Sequence, residues 1–191
     1  IEALRDAGLF RMLTPKRCGG YEIGARTWLD VVALIAESCG STAWVLSLLT
    51  NAAWFAGMLD DHARKEIFDD DPDTRIAGVF APSEDMRRED GGVRVSGKWF
   101  WASGSLHASW AMLGVLERDV QARVVDHWLG FVPMRELSIE NTWYASGMKG
   151  TGSNCLVAED LFIPAHRLMS LRQAIAGTIP NTHPDETLYR S

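Results

Sequence analysis

The residues best suited to chemistry lie in one stretch, Gly97-Lys98-Trp99-Phe100-Trp101-Ala102-Ser103-Gly104. Aromatic rings at Trp99, Phe100 and Trp101 precede a Ser-Gly turn, and a period-2 run from Val93 to Gly97 leads into them. Neighbouring side chains on a pleated strand point to opposite faces, so Trp99 and Trp101 are expected to share one face while Phe100 takes the other. An aromatic wall ending in a hydroxyl and exposed backbone amides suits a flat heterocycle with polar edges. The same residue types also make an ordinary strand and turn.

A second group lies upstream. The most apolar segment, Thr42 to Leu59, places Ser47, Thr50, Asn51 and Trp54 at i, i+3, i+4 and i+7. Its length approaches the roughly 20 residues that span a bilayer. The polar stripe and the lack of flanking basic residues favour a buried helix instead, with the stripe either lining a pocket or bonding to backbone. His107, just past the turn, is either a site residue or a locally bonded surface histidine. The mixed-charge run Glu84 to Asp90 reads as a solvated hairpin loop. Lys149 reads as positional, and the glycines around it as turn formers, because no Gly-rich strand-to-helix signature is present.

The elements that must position these residues fall into two blocks. Helical spacing runs from Ile1 to Leu13 and stops at Thr14-Pro15; a second helix starts at Thr27, a plausible N-cap, and ends near Cys39-Gly40. The apolar helix follows, and then Asp60-Asp61 cap a short helix, His62 to Phe68. From Arg75 the period changes to strands: Arg75 to Ala81, Val93 to Trp101, Ser109 to Leu116, Val124 to Pro133, Ser138 to Trp143 and Asn154 to Ile163. Leu168 to Ala176 reads as helix again, and Gly177 to Ser191 as a polar tail. The expected fold class is α+β: an N-terminal helical domain (1–74), a small antiparallel β-sandwich or barrel (75–167), and the start of a further helical region (168–191).

Bulk properties narrow the function. The 191 residues carry a net charge of -6, with 47% hydrophobic and 23% charged residues, as in a soluble globular protein. Basic residues cluster no further than pairs, which argues against nucleic acid. Cys18, Cys39 and Cys155 are far apart and lack metal-ligand spacing, so a reducing cytoplasm and no metal are expected. The chain opens at Ile1 inside a helical pattern without an initiator Met, so upstream residues are expected.

The order of these blocks, and three motifs within it, resemble the acyl-CoA dehydrogenase superfamily. Pro15-Lys16-Arg17-Cys18-Gly19-Gly20 is similar to that family's P-x-x-x-G-G loop. Gly97 to Gly104 resembles its flavin segment, G-x-K-x-x-W-[IS]-[TS]-[NSG]-G, with the lysine shifted by one place. Gly147-Met148-Lys149-Gly150-Thr151-Gly152-Ser153, followed by Val157 to Pro164, resembles the strand-turn-strand that closes its β domain. Where dehydrogenases carry T-E-x-x-x-G-S-D, this chain has Gly78-Val79-Phe80-Ala81-Pro82-Ser83-Glu84. Together with Ser103-Gly104, His107-Ala108-Ser109-Trp110 and Gly150-Thr151-Gly152-Ser153, this looks like the two-component flavin-dependent monooxygenases of the same fold, of the 4-hydroxyphenylacetate and steroid-phenol hydroxylase type.

The resemblance implies a reduced flavin, FMN or FAD, delivered by a separate NAD(P)H flavin reductase, and hydroxylation of a small aromatic or phenolic substrate with O2; an acyl-CoA dehydrogenase or related flavin oxidase, and a non-catalytic fragment of this fold, stand as the alternatives. It implies flavin contacts from Phe80, Ala81, Pro82, Trp101, Ser103 and Gly104, with the Ser103 hydroxyl beside flavin N5. It also implies a substrate pocket that includes Asn51, Trp54, Ser83 and His107, and it places the loop Glu84 to Asp90 toward the flavin phosphate, where Arg87 or Arg88 could help. Asn51 stands where such monooxygenases often have a histidine; it can hydrogen-bond a phenol but is no base near neutral pH. The superfamily's C-terminal four-helix bundle, with the catalytic base and most contacts of a homotetramer, has no counterpart here. As it stands, the chain is expected to be an incomplete catalyst.

Overall fold

The computed structural model describes residues 1–180, apart from the side chains of Ser83 and Glu84. The tail read from Gly177 therefore lies largely outside the described residues. In chain order the main elements are α1 (Glu2–Asp6), α2 (Ala25–Ser38), α3 (Gly40–Gly57), α4 (Asp61–Phe68), β1 (Ile76–Asp85), β2 (Arg87–Glu89), β3 (Gly92–Ala102), β4 (Trp110–Arg118), β5 (Val124–Pro133), β6 (Ser138–Glu140), β7 (Asn154–Pro164), β8 (Leu168–Ser170) and α5 (Leu171–Ala176). The chain is α+β, with helices packed on mixed and antiparallel sheets.

Several local readings need correction. The helix expected over Ile1 to Leu13 breaks at Gly8, whose φ of +70° is left-handed, and continues only as a 3-10 turn, Leu9–Arg11. Thr27 is not a cap, because α2 already begins at Ala25 behind Gly24. Cys39, in extended conformation, separates α2 from α3, so Gly40 opens the next helix rather than closing the last. Asp60 does cap α4, accepting from the Ala63 amide at 2.9 Å. The helix expected from Leu168 starts three residues later: β8 comes first, and the Ser170 hydroxyl then caps α5 by accepting from Gln173 N.

The strands form two four-stranded sheets, ordered β1-β4-β5-β8 and β2-β3-β7-β6. Neighbouring strands are antiparallel except β1 and β4, which run parallel and overturn the expectation of an antiparallel domain. The cause is connectivity: after β1 the chain spends the β2-β3 hairpin in the other sheet and re-enters beside the start of β1. The expected strand Ser138 to Trp143 stops at Glu140, because the Thr142 and Trp143 amides donate to the Asn154 side chain instead of a ladder.

Alternation along β4 and β5 explains the layering. Ala111, Leu113 and Val132 face the second sheet, where they meet Val93, Val95, Trp99 and Leu156. Met112, Leu129 and Phe131 face the helices, against Ala52, Ala53, Ala56 and Phe68. A sheet buried on both faces reads as a near-continuous apolar run, as Trp110 to Leu116 does. Among the described residues no helix is long and apolar enough to cross a membrane.

Charge also joins helices to strands. Glu66 of α4 accepts from Arg167 Nε at 2.6 Å and meets His166 Nε2 at 3.1 Å, both in the turn after β7. With His62 these groups bring ligand-type atoms within 4.8 Å of one another, but Arg167 already answers the carboxylate. Burial raises the Glu66 pKa, yet the hydrogen bonds and charges of Arg167 and His166 outweigh it and hold it below the usual range. A depressed carboxylate stabilises the fold above its unfolded pKa of about 4.3, and that stability is lost as pH falls through the lower folded value. Glu66→Gln is therefore expected to cost about 1–3 kcal/mol at pH 7. Urea denaturation should show the difference from the parent shrinking below about pH 4; a pH-independent difference would contradict this account.

Candidate functional site

The stretch at the end of β3 does not keep its alternation. Trp99 pairs with Leu156 and Ala102 with Asn154, so Phe100 and Trp101 together oppose the single residue Cys155. This is a β-bulge, and Trp101 absorbs it at φ +65°, a conformation that non-glycine residues rarely adopt. The two indoles expected to share a face are thereby separated. Trp99 is fully buried between the sheets and donates its Nε1–H to Gly114 O at 2.8 Å, whereas Trp101 is 70% exposed. Phe100 is also exposed.

Trp101 stands instead at a cleft of about 410 Å3 whose other indoles come from elsewhere: Trp44 on α3 and Trp143 after β6. Leu48 and Met148 add apolar wall, and Ser103, Thr151 and Ser153 supply the polar surface. None of these lining side chains is ionisable. Trp44, Trp143, Leu48 and Met148 escaped the sequence reading. For the first and third a signal existed, since Trp44, Ser47, Leu48 and Asn51 continue one helical face. Thr50 leaves that face: it is buried, accepts from Trp28 Nε1 at 2.9 Å and donates to Leu46 O at 2.8 Å.

Two turns hold the cleft floor. In the first, Ser103 sits beside Gly104, whose φ is +76° and whose N–H donates to Thr151 O at 2.8 Å. In the second, Met148 and Gly152, both left-handed, bracket a 3-10 turn, Lys149–Thr151. The hydroxyls of the two turns meet in a row: Ser103 and Ser153 lie 2.7 Å apart, and Ser153 and Thr151 are again 2.7 Å apart. Trp44 Nε1–H donates to Ser103 Oγ at 3.1 Å, and Thr151 Oγ donates to Met148 O at 2.9 Å. Ser103, Thr151 and Ser153 are all buried.

Of the remaining expected site residues, Phe80 and Trp54 are joined through Phe55 in a second patch. In β1, Val79 pairs with Leu113 and Glu84 with Val115, so residues 80–83 bulge out opposite Gly114. A Cβ on Gly114 would lie 2.1 Å from Phe80 O, so glycine makes room for this bulge. Phe80 packs edge-on to Phe55 at 5.1 Å, and Phe55 packs on Trp54 at 4.9 Å. Ala81 and Pro82 are exposed. None of Phe80, Ala81, Pro82 and Trp54 lines the Trp101 cleft; Trp44 and Trp54 are ten residues apart on α3, about 15 Å. Asn51, partly buried, lies between them on the same helix. The Ser83 side chain is outside the described residues. His107 is exposed and its carbonyl accepts from Arg75 Nε at 2.7 Å; its ring does not line the cleft. Arg87 and Arg88, considered for a phosphate, are paired with Asp160 and Glu117.

No family model matches the chain. It is 37% identical over 189 residues to the flavin-dependent monooxygenase oxygenase subunit HsaA of Rhodococcus jostii, covering 96% of this chain and 49% of that protein. It is 34% identical over 181 residues to the FADH(2)-dependent resorcinol hydroxylase oxygenase component of a Rhizobium species, covering 94% and 44%. The crystal structure of the HsaA monooxygenase from M. tuberculosis superposes with a TM-score of 0.93 at 34% identity, over 100% of this chain and 50% of that one. The chain thus spans about half the length of the curated relatives it matches.

Gly104 is the most exacting position of the cleft floor. A Cβ there would approach Val45 Cγ1 to 3.0 Å and Leu49 Cδ2 to 3.2 Å, on top of the left-handed backbone. Gly104→Ala is expected to cost about 1–3 kcal/mol of stability. A urea midpoint equal to that of the parent would show that the turn and α3 do not press together as described.

Proposed function

We propose, since the homologues of this chain are oxygenase subunits of two-component flavin-dependent monooxygenases, that it forms the flavin-facing part of such an enzyme, which hydroxylates an aromatic ring. The observation that carries this reading is the cleft itself: buried hydroxyls presented among three indoles, with no ionisable side chain in the lining. A bound reduced flavin supplies the electrons that activate O2 for transfer of one oxygen atom to the ring. Such chemistry is wasted as hydrogen peroxide when water and stray proton donors reach it, so a dry wall without acids or bases is what it needs.

The residues present suit that cofactor. Trp44, Trp101 and Trp143 offer apolar faces to a flat ring system, and Leu48 and Met148 extend that apolar wall. Ser103 would hold the proton at flavin N5 by hydrogen bonding. The bulge at residues 80–83 leaves backbone amides and carbonyls outside the β1-β4 ladder, where they could meet the polar edge of the ring. Asn51, with Trp54 and His107, would face the substrate. Asn51 could bond a phenolic hydroxyl without acting as a base.

The chain spans about half of its relatives' length, and the acid-base residue and the four-helix bundle that completes a homotetramer would belong to the other part of such an enzyme. On this reading residues 1–74 are the first helical domain, 75–167 the flavin-binding β domain and 168–191 the start of the bundle. The other partners are an NAD(P)H flavin reductase, a small phenolic substrate and FMN or FAD, in the cytoplasm.

The role of Ser103 is tested by Ser103→Ala. Stopped-flow mixing of the anaerobic protein, loaded with reduced flavin, against oxygenated buffer should show hydrogen peroxide released about tenfold faster, the effect of one lost hydrogen bond. Circular dichroism and flavin retention should be unchanged. An unaltered peroxide rate would argue that Ser103 does not face N5.

A further inference from the structure

We infer that the hydroxyl row behind Ser103 has a fixed proton direction, set by Thr151 and Ser153 as positioning residues, and that this direction makes the cleft prefer reduced over oxidised flavin. The inference rests on the reading that Ser103 faces flavin N5.

Each hydroxyl has one proton to give and two lone pairs to fill. Thr151 Oγ lies 2.9 Å from Met148 O, and a carbonyl can only accept, so the Thr151 proton points there. Any other orientation would set two oxygen lone pairs against each other at that distance. Ser153, 2.7 Å from Thr151, must then be the donor of that pair. Its proton is spent in turn, so Ser103, 2.7 Å away, must donate to Ser153. One lone pair of Ser103 is filled by Trp44 Nε1–H at 3.1 Å. What Ser103 keeps for the cleft is one lone pair and no proton.

N5 carries a hydrogen in reduced flavin and is a bare acceptor in oxidised flavin. Ser103 in this state pairs with the first and opposes the second. To serve an oxidised ring the whole row must turn over, and Thr151 must release Met148 O, leaving that carbonyl its two N–H donors, Thr151 N at 3.0 Å and Trp143 Nε1 at 3.2 Å. The reversal forfeits one hydrogen bond. Burial prevents water from replacing it, since Thr151 and Ser153 are only 2% and 4% exposed. One such bond corresponds to roughly tenfold in affinity.

The test is the ratio of dissociation constants for oxidised and reduced FMN, and likewise FAD, measured anaerobically on the purified full-length protein and its variants. Ser153→Ala and Thr151→Val are each expected to lower the ratio about tenfold, equivalent to lowering the two-electron potential of the bound flavin by about 30 mV. Thr151→Ser, which restores the hydroxyl, should restore the ratio. The double variant Ser103→Ala/Thr151→Val should match Ser103→Ala alone, because Thr151 acts only through Ser103. If Ser103→Ala lowers the ratio but Thr151→Val and Ser153→Ala do not, the fixed direction is wrong and Ser103 at N5 stands. If Ser103→Ala leaves the ratio unchanged, both fall. Should Thr151→Val fail to fold, Ser153→Ala carries the same comparison.

Discussion

The cleft depends on how closely α3 approaches the two turns that hold its hydroxyls. Gly104 has room only for a hydrogen where α3 passes, with Val45 and Leu49 within about 3 Å of any added carbon. Further along the same buried face of the helix, Ala52, Ala53 and Ala56 let α3 lie against the first sheet. At its N-terminal end Ser41 packs on Gly150 and Met148 of the second turn. Small residues at each crossing set these distances, and close-packed interiors resist enlargement by even one methylene. Only when α3 lies this close does Trp44 reach Ser103.

That approach turns isolated serines into a connected row. A Ser hydroxyl exposed on a turn rotates freely and serves as donor or acceptor to any ligand. Here Trp44 fixes one lone pair of Ser103 and the sequence Ser153, Thr151, Met148 O draws off its proton. The apolar rim strengthens each of these bonds, since hydrogen bonds gain strength where water is excluded. The site therefore gains polar specificity without any ionisable group.

Much of the framework was legible in the sequence because it follows local rules. Val93 to Gly97 shows period-2 alternation, Val124 to Pro133 is a short apolar run of strand type, Asp90-Gly91-Gly92 marks a tight turn, and Asp60 is an effective cap. The parallel pairing of β1 with β4 was not legible, as it follows from a hairpin placed in another sheet. The facing of Trp99 and Trp101 failed for a similar reason: the bulge is defined by the partner strand at Cys155, not by β3 itself. Ser103 was found from its own neighbourhood, whereas Trp44, Trp143, Thr151 and Ser153 converge on it from distant parts of the chain. Family resemblance pointed to the flavin; the partners of Ser103 needed three-dimensional packing.

The central claim is that reduced flavin occupies the cleft between α3 and the two turns. It is tested most directly by a crystal structure of the full-length protein soaked anaerobically with reduced FAD. The account predicts isoalloxazine density among Trp44, Trp101 and Trp143, with N5 within hydrogen-bonding distance, about 3 Å, of Ser103 Oγ. A flavin ring bound elsewhere, or one whose N5 points away from Ser103, would contradict it.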